Sequence, residues 1–534
     1  MTARPRIPSV LAPVLRRTNY NLPPLLSSLP RSAASGVERS TLSSGETTLN
    51  HQLARPDQVN GWIRSVRKQK NVSFAVISDG TRVGGTQVVL PKGFEQGLTV
   101  GCSASFEGEW VKSPKANSSD EFKVNRVTWI GPSDAETYPI PNTKQGIPLP
   151  ILRHNAHLRN RKEQQANVMR VRSEMNWAMS NYFRSEGFLK VEAPIMTSSD
   201  CEGGGEVFKV VDATPPTFST ASTSASSTTP PLPLSPATSE PGRYLSVSSQ
   251  LHLEALASSH PRVYALSPCF RAEKSDTARH LQEFWMLEAE LAFLDQNPRT
   301  AIEQVMRVVE QSVRAIARHV KEHLVDEYEY LRDQAKGGSA ATAAGAGTCI
   351  DLDERYRGLL QPNSYHRMTY TEAVERLQQQ HAIEPFKFEP EWGSGLATEH
   401  EKWLAEDLIQ GPVFVTDYPT RLKPFYMLKN EVSPLDEPQD RSTTACFDLL
   451  VPQLGELVGG SLRTHSYSDL IDVIQHHPKL NQDDYEWYLD LRKFGTTRHG
   501  GFGLGWERFV GFLTGMSNVR ECIAFPKAGE GSRF

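Results

Sequence analysis

Between Phe284 and Glu290 the chain reads Phe-Trp-Met-Leu-Glu-Ala-Glu, an apolar, strand-like run that carries two carboxylates. Residues two apart on a strand share a face, so Phe284, Glu288 and Glu290 point the same way. Carboxylates on one face of an apolar strand are costly unless cations, ligand donors or a metal meet them. An edge strand with solvated acids is the plainer alternative, and the flanking Trp285, Met286 and Leu287 argue against it. The run therefore calls for a sheet with one face in a core and the other on a polar cleft.

Neighbouring sequence supplies the cations. Arg271 follows the apolar stretch Ser267-Pro268-Cys269-Phe270, and a polar loop leads on to Arg279 and His280. Gly455-Glu456-Leu457-Val458-Gly459-Gly460-Ser461-Leu462-Arg463 brackets a glycine pair with a carboxylate and a guanidinium. Paired glycines let a ligand approach the backbone closely, although most such pairs are turns. In His499-Gly500-Gly501-Phe502-Gly503-Leu504-Gly505-Trp506-Glu507-Arg508, a glycine ladder runs into a helix that carries Arg508 in its first turns, which suits phosphate. There is no GxxxxGK[ST] loop, so a nucleotide site here is not a P-loop.

The 534 residues allow about three domains. Short apolar or alternating runs separated by Asp79-Gly80, Gly84-Gly85 and Pro91-Lys92-Gly93 predict a small closed β-barrel over 57–132, for which an OB-fold is the candidate. Between Gly61 and Lys92 it carries Arg64, Arg67, Lys68, Lys70, Arg82 and Lys92 against Asp79 alone. With Phe74, that charge fits single-stranded nucleic acid, and it equally fits a solvated face over a core phenylalanine. A linker is expected over 133–158, followed by a large domain over 159–534. Helical periodicity marks 161–186 and 300–324, and strands are expected at 412–416, 423–428 and 445–451. No β-α-β rhythm is present, so this domain is expected to be α+β, an antiparallel sheet flanked by helices. Low-complexity stretches at 213–242 and 335–348 read as insertions.

A net charge of −4 gives no global sign of a nucleic-acid partner, so any such sign is local. The six cysteines are scattered, without zinc-like spacing, which fits a reducing compartment. No apolar run is long enough to span a bilayer, and no membrane partner is expected. Arg4, Arg6, Arg16, Arg17 and Arg31 precede the first acid, Glu38, which predicts a mitochondrial transit peptide within 1–50 and a place in the mitochondrial matrix.

Taken in order, these segments resemble the signature motifs of class II aminoacyl-tRNA synthetases, in the form carried by the asparaginyl enzymes. FRAE…RHLQEFWMLEAE is similar to the second motif and GFGLGWERFVGFLTGM to the third. Gly187 to Pro194 looks like the first, which in the family builds a homodimer interface. DCEGGGEVF and LSVSSQLHLE also match the subgroup. The resemblance implies an enzyme that activates L-asparagine with ATP and Mg²⁺ and loads it onto tRNA(Asn). It implies that Arg271, Glu456 and Arg508 serve catalysis. Glu273, His280, Phe284 and Gly505 would join them around ATP, with Phe284 under the adenine and Arg508 on its other face. Glu456, helped by Asp448, would hold the metal. Glu202 and Gln250 would bind the α-amino end of asparagine. Glu288 and Arg463 would bind its amide. On the barrel, Phe74 and Gln87 would read the middle anticodon base, with Arg64 nearby.

An aspartyl-tRNA synthetase, including a non-discriminating one that loads aspartate on both tRNAs, is the alternative within the same subgroup. There a lysine stands three residues after the glutamine that matches Gln250. Here that residue is Leu253, which removes a cation and disfavours a carboxylate substrate. The chain departs from the family pattern at Ser249, Lys274 and Thr464, none of which removes a charge needed for activation.

Overall fold

The computed structural model describes residues 57–114, 120–141, 147–198, 207–211, 243–272, 277–337, 351–431 and 441–527. The leader segment 1–50, the insertion 213–242 and residues 338–348 of the second insertion lie outside the described residues. The chain divides into two compact units at Pro148/Leu149. The expected linker is therefore ten residues too long at its C-terminal end. Helices Leu149–His154 and Ala156–Arg159 belong to the second unit, where Arg153 and the buried Arg159 both reach Glu521. The second insertion also starts later than expected, because the helix Val325–Gly337 takes in its first residues. No helix among the described residues is long and apolar enough to cross a membrane.

The first unit holds strands β1 (Gln58–Lys68), β2 (Val72–Ser78), β3 (Thr86–Pro91), β4 (Ser103–Val111) and β5 (Glu121–Gly131). They close into a barrel in the order β1-β2-β3-β5-β4. Alternate residues fill it: Val59 and Ile63, Ala75 and Ile77, Val88 and Leu90, Ala104 and Phe106, Phe122 and Val124. The intervening positions, Phe74 and Gln87 among them, are left on the outside.

The second unit begins with short strands β6 (Leu189–Lys190), β7 (Met196–Thr197), β8 (Lys209–Val210) and β9 (Arg243–Leu245). Longer strands follow: β10 (Arg262–Phe270), β11 (Glu283–Ala292), β12 (His366–Thr369), β13 (Val413–Thr416), β14 (Cys446–Val451), β15 (Gly455–Leu462) and β16 (His499–Gly505). One eight-stranded sheet runs β12-β13-β14-β15-β16-β11-β10-β6. It is antiparallel from β13 to β10 and parallel at its two flanks. The expected strand at 423–428 does not form. A 3₁₀ turn at Thr420–Leu422 is followed by a single bridge from Met427 to Arg463. Pro424 has no N–H to give a ladder, and Phe425 and Tyr426 turn into a separate aromatic cluster with Tyr485 and Tyr488.

Two long helices, Glu163–Ser185 and Pro298–His323, cover one face of this sheet. The second starts where Asn297 accepts hydrogen bonds from the Arg299 and Thr300 N–H groups, with Pro298 in its first turn. Its Val305, Val309, Val313 and Ile316 pack on Leu287, Ala289, Leu291, Val458, Phe502 and Leu504. Burying those alternate residues fixes the register. Glu288 and Glu290 of β11, with Gly501 and Gly503 of β16, must then lie on the opposite face, away from the helices.

Candidate active site

On that opposite face an open cleft of about 660 Å³ is lined by Arg271, Arg279, His280, Leu281, Phe284, Met286, Glu456, Leu457, Gly503, Gly505, Glu507, Arg508 and Val519. Every described residue expected to contact ATP is here. Glu273, expected with them, lies outside the described residues, as do Lys274 and Glu202.

Local structure explains the placement. Arg271 follows β10, and its N–H donates to the Gln282 carbonyl at 3.0 Å, closing the entry to β11. Phe284 pairs with Cys269 across the β10–β11 ladder, so its ring stands at the mouth of the hairpin. The Arg271 guanidinium lies 5.4 Å from the centroid of that ring. Arg508 does not cover Phe284 here. It sits in the first turn of the helix Trp506–Thr514 and donates to the Glu456 carbonyl at 3.2 Å and carboxylate at 3.4 Å. His280 is held by Thr277 through Nδ1 at 2.6 Å. Glu507 accepts the Trp285 N–H at 2.9 Å and pairs with Arg172 at 2.7 Å, tying this helix to the start of β11.

The electrostatics suit a polyanion. Burial opposes ionisation of Glu456, but Arg508, Lys423, Arg271 and Arg279 outweigh it and hold the carboxyl below its usual range. Glu401, which accepts the Glu456 N–H at 3.2 Å, is pushed up to about 7 by burial and by the Glu456 charge. Asp448, expected to help Glu456 hold the metal, is paired with Lys423. Both its oxygens accept from Lys423 Nζ, at 3.1 and 2.9 Å, and burial raises its carboxyl against that cation. The Glu456 carboxylate lines the cleft, and both it and Asp448 already face a cation, Arg508 and Lys423 respectively; carboxylate oxygens of this kind suit a divalent cation. The glycine pair divides between the faces. A Cβ on Gly459 would lie 3.3 Å from Glu456 and 3.4 Å from Asp448, whereas one on Gly460 would meet the Phe447 ring at 2.4 Å in the core.

The face continues inward along β11, where Met286, Glu288 and Glu290 oppose Gly505, Gly503 and Gly501 in turn. A Cβ on Gly501 would sit 2.1 Å from the Glu290 carboxylate, so this floor accepts only glycine. Glu288 is buried and anchored by Ser248 Oγ–H and by the Ser249 N–H at 2.9 Å, just before the helix Gln250–Ala257. Glu288 and Arg463 are expected to bind the two ends of the substrate amide, and the sequence assigns Glu290 no role. The structure places Glu290 beside Arg463, whose Nε and Nη2 reach its two oxygens at 3.1 and 2.9 Å. This fork-to-fork pair was hidden because both glutamates share a face and only the register of β15 and β16 selects between them. Glu254, Arg492 and His499, which join Arg463 from behind, carried no individual signal in the sequence. Leu253 is buried with Ala257, Val263 and Ala265, so its position sends no cation to the pocket.

On the barrel, Phe74 of β2 stands opposite Val89, and Val76 opposite Gln87. Phe74 and Gln87 thus share the outer face. Phe74 is half-buried under the Arg67 guanidinium, 5.3 Å from its centroid, and Gln87 donates to Glu121 at 2.8 Å. Arg64 sits at a bulge in β1 and donates to Ser78 at 3.0 Å.

Comparison with known proteins agrees with this geometry. Residues 150–529 match the tRNA synthetases class II (D, K and N), and residues 58–130 match the OB-fold nucleic acid binding domain. The chain is 38% identical to the asparaginyl-tRNA synthetase of Mus musculus over 470 residues, covering 88% of this chain and 89% of that protein. It is 36% identical to the mitochondrial asparagine–tRNA ligase of Saccharomyces cerevisiae over 499 residues, covering 89% and 93%. The crystal structure of asparaginyl-tRNA synthetase from Pyrococcus horikoshii complexed with asparaginyl-adenylate matches with a TM-score of 0.71 at 29% identity, covering 89% of this chain and 95% of that one. The chain belongs to the class II aminoacyl-tRNA synthetases, in the asparaginyl-tRNA synthetase family.

Proposed function

We propose that the cleft and the pocket behind it hold ATP and L-asparagine end to end, and that the chain makes asparaginyl-adenylate and passes the asparaginyl group to tRNA(Asn). The observation that carries this reading is the convergence of Arg271, Phe284, Glu456 and Arg508 on one cleft, continuous along β11 with Glu288, Glu290 and Arg463. In the first step the asparagine carboxylate attacks the α-phosphorus and pyrophosphate leaves. The nucleophile is already ionised, so no general base is needed. The protein must instead hold two anions together in line.

Arg271, at the cleft, would grip the α-phosphate and the substrate carboxylate. Arg508 and His280 hold the far phosphates, and Phe284 offers its ring to the adenine. Glu456 would hold Mg²⁺, which when bound neutralises phosphate charge. Gln250 meets the α-amino end, and the pocket beyond it meets the side chain. In the second step a ribose hydroxyl of the tRNA end attacks the adenylate carbonyl.

Asparagine is preferred to aspartate because Arg463 is already committed to Glu290, while Glu288, held by Ser248 and the Ser249 N–H, keeps a carboxylate on the pocket face. A substrate amide can donate to Glu288, but a substrate carboxylate is repelled. Glu288→Gln is expected to cut the asparagine-to-aspartate ratio of kcat/KM at least tenfold in ATP–pyrophosphate exchange. An unchanged ratio contradicts the assignment.

Phe74 and Gln87 would read the tRNA from the barrel. Stacking on one base is worth about 1–3 kcal/mol. Phe74→Ala is accordingly expected to raise KM for tRNA roughly tenfold, while amino-acid activation without tRNA is unaffected. Equal losses in both assays would reduce Phe74 to a packing residue. A homodimer through the first motif accords with the exposure of Leu189, Ile195 and Met196 beside it, and sedimentation of the full chain checks it. The arginines ahead of Glu38, with the similarity to a mitochondrial yeast relative, support the mitochondrial matrix. Failure of residues 1–50 to carry a reporter into mitochondria would exclude that address.

A further inference from the structure

Behind Arg463 lies a buried polar cluster that the reaction does not use directly. Its hub is Glu254, one turn after Gln250 on the same helix, with a side chain that is 0% exposed. Gln250 Nε2 donates to Glu254 Oε1 at 3.2 Å. The other oxygen accepts from Arg492 Nη2 at 2.7 Å and Tyr488 O–H at 2.8 Å, and lies 3.0 Å from His499 Nε2. Arg463 Nε, which donates to Glu290, is also 3.9 Å from Glu254 Oε1. Glu254, Glu290 and His499 come close enough together to hold a metal, but Arg492 and Arg463 already occupy the two carboxylates.

Together with Glu288 and Glu290, Glu254 makes three carboxylates around the side-chain end of the pocket, facing the guanidiniums of Arg463 and Arg492. All five are buried. Charges in such a setting are weakly screened, so a group that never touches the substrate still sets the potential it meets. His499 Nδ1 lies 2.7 Å from the Thr497 carbonyl. With the neighbouring groups unchanged, neutralising Glu254 makes the pocket one unit more positive, and neutralising Arg492 makes it one unit more negative.

We propose that Glu254 is a specificity-determining residue: its buried charge cancels the cation behind Arg463 and so keeps a carboxylate side chain out of the asparagine pocket. The proposal rests on the reading of this pocket as the amino-acid site. A buttress acting only through shape would weaken both amino acids alike. A charge acts on aspartate and asparagine differently.

The test is ATP–pyrophosphate exchange by the full chain with asparagine and with aspartate. Glu254→Gln raises the aspartate-to-asparagine ratio of kcat/KM at least tenfold. Glu254→Asp, which keeps the charge and alters the reach, leaves that ratio within threefold of wild type even where activity falls. Adding Arg492→Met to Glu254→Gln restores the charge and returns the ratio toward wild type. An unmoved ratio in Glu254→Gln, with lower thermal stability, makes the residue merely structural and overturns the proposal. Should Glu254→Gln be insoluble, Arg492→Gln tests the opposite sense. Its Ki for aspartate against asparagine-dependent exchange rises at least fivefold relative to the KM for asparagine, and an unchanged ratio contradicts the account. If wild type does not exchange with asparagine at all, the proposed function fails and this inference with it. If wild type does and the variants do not shift, only this inference fails.

Discussion

Asparagine-dependent pyrophosphate exchange is expected to fall roughly 10³-fold in Arg271→Ala, with the fold intact. The first step brings a carboxylate anion against a polyphosphate, and the repulsion must be met by charges already in place. Arg271 stands where β10 ends and the cleft opens, its backbone fixed by Gln282 and its guanidinium over Phe284. In the proposed reaction it is the cleft cation that touches both anions; Arg279 and Arg508 pair with Glu401 and Glu456. Because Arg271 is only half-buried, its removal leaves no stranded charge in a core. Thermal stability should therefore change little. Arg271→Lys should recover part of the activity, since a point charge replaces the field but not the two-pronged grip. A loss of less than tenfold in the alanine variant would mean that the carboxylate and α-phosphate are held elsewhere.

The second large effect is on stability. Arg463 is 2% exposed and grips Glu290, which is 1% exposed. Arg463→Met leaves that carboxylate buried without its partner, a situation that typically costs about 3–5 kcal/mol. The denaturation midpoint should fall accordingly, and asparagine activation should be lost with it. Adding Glu290→Gln removes the stranded charge, so the double variant should regain most of the stability but not the activity. If the double variant is no more stable than Arg463→Met, the pair does not hold this part of the sheet. The cycle separates the structural half of Arg463's role from its part in recognition.

Much of the site could be read from spacing. Strand parity put Glu288 and Glu290 on one face, and the glycine ladder from Gly500 to Gly505 led into the helix that presents Arg508. Parity could not say which glutamate meets Arg463. That depends on how β15, β16 and β11 slide against one another, and register is set by long-range burial of Leu287, Val458 and Phe502. The pairing of Lys423 with Asp448 was not legible, because Lys423 lies in a stretch that reads as a strand. Pro424 turns that stretch back instead. In the barrel, β4 gave the weakest signal. Its run of Ser, Ala and Glu around Gly108 lacks the branched residues that mark a strand, and only pairing with β1 and β5 makes it one. The cluster around Glu254 was invisible for a related reason: its members come from four separate elements and meet only after the sheet has formed.

The measurement that bears most directly on the whole account is ATP–pyrophosphate exchange by the purified wild-type chain, run in parallel with asparagine, aspartate and lysine. Exchange with asparagine alone, dependent on Mg²⁺, is the predicted result. Exchange with aspartate at a comparable or higher rate, or with none of the three, would contradict it.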